Sequence, residues 1–324
     1  MASRQFKKFF PASAALIAIA AFLWGLDGVL FRPSLHDLKA ILVVFVEHLL
    51  AVIILIIIII IAMLFSRKTP DWLAQDLRSI RYLRSKDWFA IGWTAFFGGL
   101  IGTLAITQAL FYVGFVPLSI PILIQKTQPL IVALFAWLVL REKLTRHYYW
   151  WLGLALLGSY LVTFGLQIPE ISLSNKQLLA GLLGLVAAFA WGTSTVFSRK
   201  IMTTQLTFRA AVFLRFSLTA VIAIIAMWLF FPRTSFAAMN AKHWQLLIIV
   251  ALSTGLTASI LYYYGLRKTP ARISGLCELA FPLTVVVGDY LINQVVMTVP
   301  QFIGAAILLF VILKNRDFSH SRSV

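Results

Sequence analysis

Ala20-Ala-Phe-Leu-Trp24-Gly25-Leu-Asp27-Gly-Val-Leu-Phe-Arg32 returns 167 residues later as Ala187-Ala-Phe-Ala-Trp191-Gly192-Thr-Ser194-Thr-Val-Phe-Ser-Arg199, with seven of the thirteen positions identical. A second phrase recurs in the same order: Pro117 and Pro129, twelve apart, are answered by Pro270 and Pro282, also twelve apart. Two ordered matches, at offsets of 167 and 153, mark a duplicated chain whose first half carries 14 extra residues between the phrases. An apolar chain doubled in this way predicts two halves built around a shared cavity, an architecture of transporters more than of enzymes or scaffolds.

The composition sets the solvent. Of 324 residues, 61% are hydrophobic and 12% are charged, against roughly a quarter charged in soluble domains. The chain is therefore read as an integral membrane protein. Cys277 is the only cysteine, which excludes an internal disulfide and argues against a cysteine metal site. The net charge of +17 is dispersed over short connectors and not gathered on one face, so no nucleic-acid partner is expected.

Apolar runs of about 20 residues, the length that crosses a bilayer core, predict ten spans. They lie near 12–31, 39–65, 88–113, 119–140, 148–166, 178–198, 208–231, 244–266, 271–292 and 297–313. Alternating sides from the N-terminus, one side collects 21 of the 28 Lys and Arg residues and the other five, while Lys126 and Arg215 fall inside spans. The positive-inside rule then predicts both termini in the cytoplasm of a multi-pass protein of the bacterial inner (plasma) membrane. The basic start and Ala-rich run resemble a signal peptide, but the phrase ending at Arg32 has its copy in mid-chain, so span one is read as retained. The basic cytoplasmic connector 66–87 places Trp72, Leu73, Leu77 and Ile80 at helical spacing, which predicts an interfacial helix.

Five spans per half is an odd number, so the second copy must be inverted relative to the first. The fold class follows: an all-α membrane protein of two inverted five-helix repeats, 12–166 and 178–314, with a substrate site expected near the midplane. The Trp-Gly phrase of spans one and six, the paired prolines of spans four and nine, and the Arg141-Glu142-Lys143-Leu144 turn resemble the EamA-like branch of the drug/metabolite transporter superfamily. That resemblance covers about residues 12–314 and implies export of a small molecule. The acidic turn has no copy in the second half, and Arg215 stands where the first half has Glu47.

A charge near a helix centre costs about 3 kcal/mol on insertion scales, so Glu47, Lys126, Arg215 and Glu278 require partners or a wet cavity. At about 1.5 Å per residue, Glu47 and Lys126 lie roughly 10 Å below the outer surface, with Arg215 and Glu278 at matching depth from inside. The simplest pairing is Glu47 with Lys126 and Arg215 with Glu278, either as structural ion pairs or as the lining of a path. Glu278 and Glu47 are the candidates for proton coupling. In span four, Gln125, Lys126 and Gln128 form a polar run between Pro121 and Pro129, and Pro282 follows Glu278 by one turn. These three prolines are expected to kink a cavity-lining helix pair. Trp24 and Trp191 are candidate aromatic walls, with Asp27 and Ser194 three residues on. His48, Gln108 and Tyr263 complete the candidate pathway, although a tyrosine near a span end is more often a belt residue.

The five histidines are scattered and no nucleotide-binding loop occurs, so neither an enzyme nor an ATP-driven pump is expected. The reading is a secondary transporter without cofactor or metal, working by alternating access with proton coupling or exchange. Cationic, anionic and aromatic candidates together suit a small amphipathic metabolite such as an amino acid. Its partners are the small-molecule substrate and membrane lipids, and it acts as a monomer or homodimer. A lipid flippase or a non-transporting scaffold is the alternative.

Overall fold

The structure, a computed structural model, describes residues 12–66, 69–113, 124–168, 175–231, 233–292, 294 and 296–314. Pro117 and Pro121 lie outside them. All regular secondary structure among the described residues is helical, with no strand. In chain order the helices are α1 (Ala12–Leu26), α2 (Ala40–Ser66), α3 (Asp71–Arg81), α4 (Ser85–Trp93), α5 (Gly102–Val113), α6 (Gln128–Leu140), α7 (Arg146–Phe164), α8 (Asn175–Met202), α9 (Phe208–Phe230), α10 (Ala241–Val250), α11 (Ala258–Leu266), α12 (Ala271–Cys277), α13 (Ala280–Ile292) and α14 (Val299–Lys314). Short irregular turns fuse several of these into longer rods. Seven rods are long and apolar enough to cross a membrane, and α6 and α14 are shorter apolar helices.

Solvent chooses the helix over local preference. Six consecutive isoleucines, Ile56 to Ile61, favour strand by propensity, yet they lie inside α2. Hydrocarbon offers no partner to a backbone amide, so the segment satisfies its own. Ile57, Ile58, Ile60 and Ile61 face outward, as lipid-contacting residues do. Where the chain leaves the apolar zone, side chains cap the ends. Thr207 accepts from the Ala210 amide at the start of α9, and Thr145 from the Tyr148 amide at the start of α7.

α3 is the amphipathic helix expected in the connector. Its buried Asp76 accepts hydrogen bonds from Thr207 (2.6 Å) and from the Arg209 guanidinium (2.9 and 3.0 Å), pinning it to the start of α9. Leu73 is buried, while Leu77 is exposed.

The packing is pairwise. α1 lies against α11 and α13, and α8 against α5 and α6; α2 packs on α9, α7 on α14, and α6 on α12. Three rods contain a π-helical stretch, Thr94–Ile101 between α4 and α5, Ala251–Thr257 between α10 and α11, and Asp27–Phe31 following α1. In the first, Gly98 and Gly99 admit two neighbours to the backbone. A β-carbon at Gly98 would stand 2.7 Å from Ser194 Cβ, and one at Gly99 would stand 2.8 Å from Thr219 Cγ2. A π turn leaves a carbonyl without its ordinary i+4 donor, and the Gly98 carbonyl instead accepts from the Trp191 indole at 3.1 Å.

Candidate functional site

Two broken helices face each other at the centre of the bundle. Proline carries no amide hydrogen and crowds the carbonyl four residues earlier. Pro129 acts this way on Gln125, and Pro282 on Glu278. Regular winding stops at Lys126–Thr127 and again at Glu278–Leu279. The amides of Thr127 and Leu279 turn to carbonyls three residues back, at 3.0 and 3.3 Å. Each break delivers its polar side chains to the interior.

The central cavity encloses ≈ 1330 Å³ of empty space including its open mouth. Of the residues singled out from sequence, Trp24, Asp27, Glu47, His48, Gln125, Lys126, Gln128, Trp191, Ser194, Arg215, Tyr263 and Glu278 line it, with Pro129 and Pro282. Gln108 does not. The wall face of α5 is Thr103, Ile106, Thr107 and Leu110, an i, i+3, i+4, i+7 stripe, and Gln108 is one residue and about 100° off it.

The charges are partnered differently from what depth alone suggested. Glu47 does not pair with Lys126, nor Arg215 with Glu278. Arg32, which the span boundaries left in an outer connector, is buried and holds both carboxylates of spans one and two. Its Nε donates to Asp27 Oδ2 at 3.0 Å and its Nη2 to Glu47 Oε2 at 3.2 Å, with a further ion pair to Asp27 and a contact from Nη1 to Thr107 at 3.3 Å. Asp27 is thus locked inside. Lys126 forms no ion pair among the described residues and stands 5.0 Å over the Phe281 ring. Arg215 reaches Ser259 at 3.5 Å and lies over Phe216, its Nε without a partner among the described residues.

Glu278 is saturated by neutral donors. Tyr262 (2.8 Å), Ser274 (3.0 Å) and Thr195 (3.1 Å) donate to Oε1, and Gln128 (2.6 Å) to Oε2. Gln125 in turn donates to Gln128 at 3.0 Å. His48 Nδ1 bonds the Val44 carbonyl at 2.8 Å, and its ring packs on Phe216. Tyr263 bonds Ser198 at 2.9 Å. The Trp24 ring leans on Tyr262 at 5.1 Å between centroids, while its indole nitrogen carries no hydrogen bond among the described residues.

Sequence reasoning missed Arg32, Thr195 and Thr107. Arg32 carried one signal, since it closes the repeated phrase as Arg199 does in the second copy. Arg199 also ends in a half-buried contact, donating to the Leu266 carbonyl. Beside it the chain is sealed by Glu142, which accepts from the backbone amides of Ala271 (2.8 Å) and Arg272 (3.1 Å) and from the Arg272 side chain (3.3 Å).

Long apolar helices around an interior cavity of paired charges and aromatic rings define a multi-pass membrane transporter of a small metabolite. Residues 12–164 and 178–314 both match the EamA-like transporter family. The chain belongs to that family. It is 39% identical over 301 residues to the riboflavin transporter ImpX of Fusobacterium nucleatum subsp. nucleatum (strain ATCC 23726 / VPI 4351), a match covering 93% of this chain and 96% of that one. A protein crystal structure aligns with a TM-score of 0.68 at 16% identity, over 95% of this chain and 97% of its own, and shares the fold. Family and relative point to transport and not to catalysis.

Proposed function

We propose that the protein carries riboflavin, or a closely related flat heteroaromatic compound, across the bacterial inner membrane by alternating access. The observation that carries this is the pairing of aromatic and polar walls in one cavity, in a chain so similar to a riboflavin transporter. Trp24, Trp191, Tyr262 and Phe281 offer ring faces for stacking, and Gln125, Lys126, Ser194 and Arg215 offer hydrogen bonds to carbonyl and hydroxyl groups. The amino acid expected from charge alone fits less well. An ammonium group needs a carboxylate of its own, and Asp27, Glu47 and Glu278 are each already engaged.

Ten spans in two inverted halves, 12–166 and 178–314, remain our topology, with both termini cytoplasmic. Exchanging the halves maps the packing list onto itself: span one on spans eight and nine becomes span six on spans three and four, while two on seven, four on nine and five on ten map to themselves. That favours two bundles able to rock about a shared axis. Glu278, at the break in span nine, is our coupling site ahead of Glu47, which Arg32 already neutralises. Alternating access has no built-in direction, so gradients decide between uptake and the export implied by the family resemblance. The test is purified protein in liposomes, with riboflavin fluorescence followed in both directions, with and without a pH gradient. Saturable, protein-dependent flux supports the reading; flux equal to that of empty liposomes overturns it.

A further inference from the structure

Glu278, Gln128 and Gln125 form a hydrogen-bonded chain running from the break in span nine to the cavity wall of span four. The sense of that chain is fixed by its inner end. An ionised carboxylate only accepts, so Gln128 must turn its amide nitrogen to Glu278 and its oxygen to Gln125. Gln125 must then give its own nitrogen to Gln128, which leaves its Oε1 as an acceptor at the cavity. Gln125 and Gln128 are 8% and 9% exposed, so water does not scramble this order.

Protonation reverses it. Oε1 of Glu278 holds three short donors, whereas Oε2 holds one, from Gln128, and a long contact from Thr195 at 3.4 Å. A proton delivered by hydronium in the cavity, whose O–H bond breaks to release water, therefore goes to Oε2. Its O–H then donates to Gln128, whose amide turns by half a rotation about a soft terminal torsion. Gln125 follows, and its amide nitrogen replaces its oxygen at the cavity. No other proton moves and no covalent bond beyond that O–H forms.

We infer that Glu278, Gln128 and Gln125 act as a polarity relay, through which the protonation of Glu278 switches span four from offering the cargo an acceptor to offering it a donor. This gives proton coupling a structural route to cargo affinity, and for the cargo's identity it rests on the flavin reading. The imide N–H of riboflavin is a donor suited to the unprotonated state. Tyr262 touches Glu278 directly and Cys277 precedes it on its own helix; the other titratable and charged groups lining the same cavity are Tyr263 from span eight, Lys126 from span four, Asp27 with Arg32 from span one, Glu47 and His48 from span two and Arg215 from span seven. Glu278 forms no ion pair among the described residues.

Two measurements test the relay. The first needs no cargo: acid-minus-neutral infrared difference spectra of the full protein in liposomes, with its glutamine side chains isotope-labelled. A carboxyl band absent from Glu278→Gln is expected together with a glutamine amide band absent from Gln125→Leu. In Gln128→Leu the carboxyl band should stay while the Gln125 band vanishes. A Gln125 band that survives in Gln128→Leu, or never appears in the wild type, overturns the relay, as does a proton on Oε1. Methionine replaces leucine at either position if a variant does not fold. The second compares binding of riboflavin and N3-methylriboflavin, which lacks the imide N–H. Their affinity ratio should be roughly tenfold where Glu278 is ionised and near one where it is protonated, and constant with pH in Gln128→Leu. A ratio constant in the wild type overturns the switch of affinity. Failure of riboflavin to bind at all would sink the flavin reading alone, since the infrared result still decides the relay.

Discussion

Replacing Arg32 by methionine should destabilise the protein by about 3–5 kcal/mol, the cost of stripping one partner from a buried ion pair. The Arg32, Asp27 and Glu47 side chains are 9–10% exposed, so little water is at hand to replace the guanidinium. Arg32→Met removes the hydrogen bonds to Asp27, Glu47 and Thr107 together and leaves two carboxylates facing each other. Most of the cost is the stranded charge and not the lost bonds. The triple variant Arg32→Met, Asp27→Asn, Glu47→Gln should accordingly recover to within about 1–2 kcal/mol of the wild type, because neutral amides are less costly to bury. Arg32→Lys should fall between, since a single ammonium cannot reproduce a fork that reaches two carboxylates and a threonine. Equilibrium unfolding in mixed micelles, followed by circular dichroism, reads all three. A loss below about 1 kcal/mol in Arg32→Met would refute the reasoning, as would a triple variant no more stable than the single.

Three further outcomes follow from packing and capping. A β-carbon at Gly304 would stand 2.7 Å from the Leu161 carbonyl carbon, whereas one at Gly92 meets nothing within 4 Å; Gly304→Ala should therefore lose about 1–3 kcal/mol through overpacking of α7 on α14, and Gly92→Ala should lose nothing measurable in the same unfolding assay. Glu142→Gln keeps the shape but not the charge that holds the amides of Ala271 and Arg272 and the Arg272 guanidinium, so the seal at the start of span nine should open more often; the buried Cys277 is a built-in reporter, and its maleimide labelling should speed up several-fold, with an unchanged rate counting against the seal. Asp76→Asn removes the charge that ties α3 to Arg209 and Thr207, so amide exchange over residues 71–81 should rise while that of α9 stays slow.

The sequence exposed most of the cavity wall because a charge or amide inside an apolar run is conspicuous, whatever it contacts. Glu47, Lys126, Arg215, Glu278 and the Gln125–Gln128 run were legible on those grounds. Their partners were not. Depth along a helix follows from counting at a fixed rise, but the direction a side chain takes around the axis depends on how helices pack, and Glu47 and Lys126 share a depth without sharing a contact. Gln108 shows the same limit from the other side: the π turn at Thr94–Ile101 inserts a residue into the winding and rotates everything after it by about 100°, a shift no hydropathy pattern records. Arg32 was hidden by the opposite effect, because it lies near the end of an apolar run, where charged residues ordinarily meet water or headgroups. The duplication itself marked Arg32, as the end of a phrase kept in both copies. Repeated residues such as Trp24 and Trp191 build the two faces of one cavity, and the positions where the copies differ give each face its own chemistry. Gln125 and Glu278 stand at matching proline breaks, and the hydrogen bonds through Gln128 make that mismatch a connection.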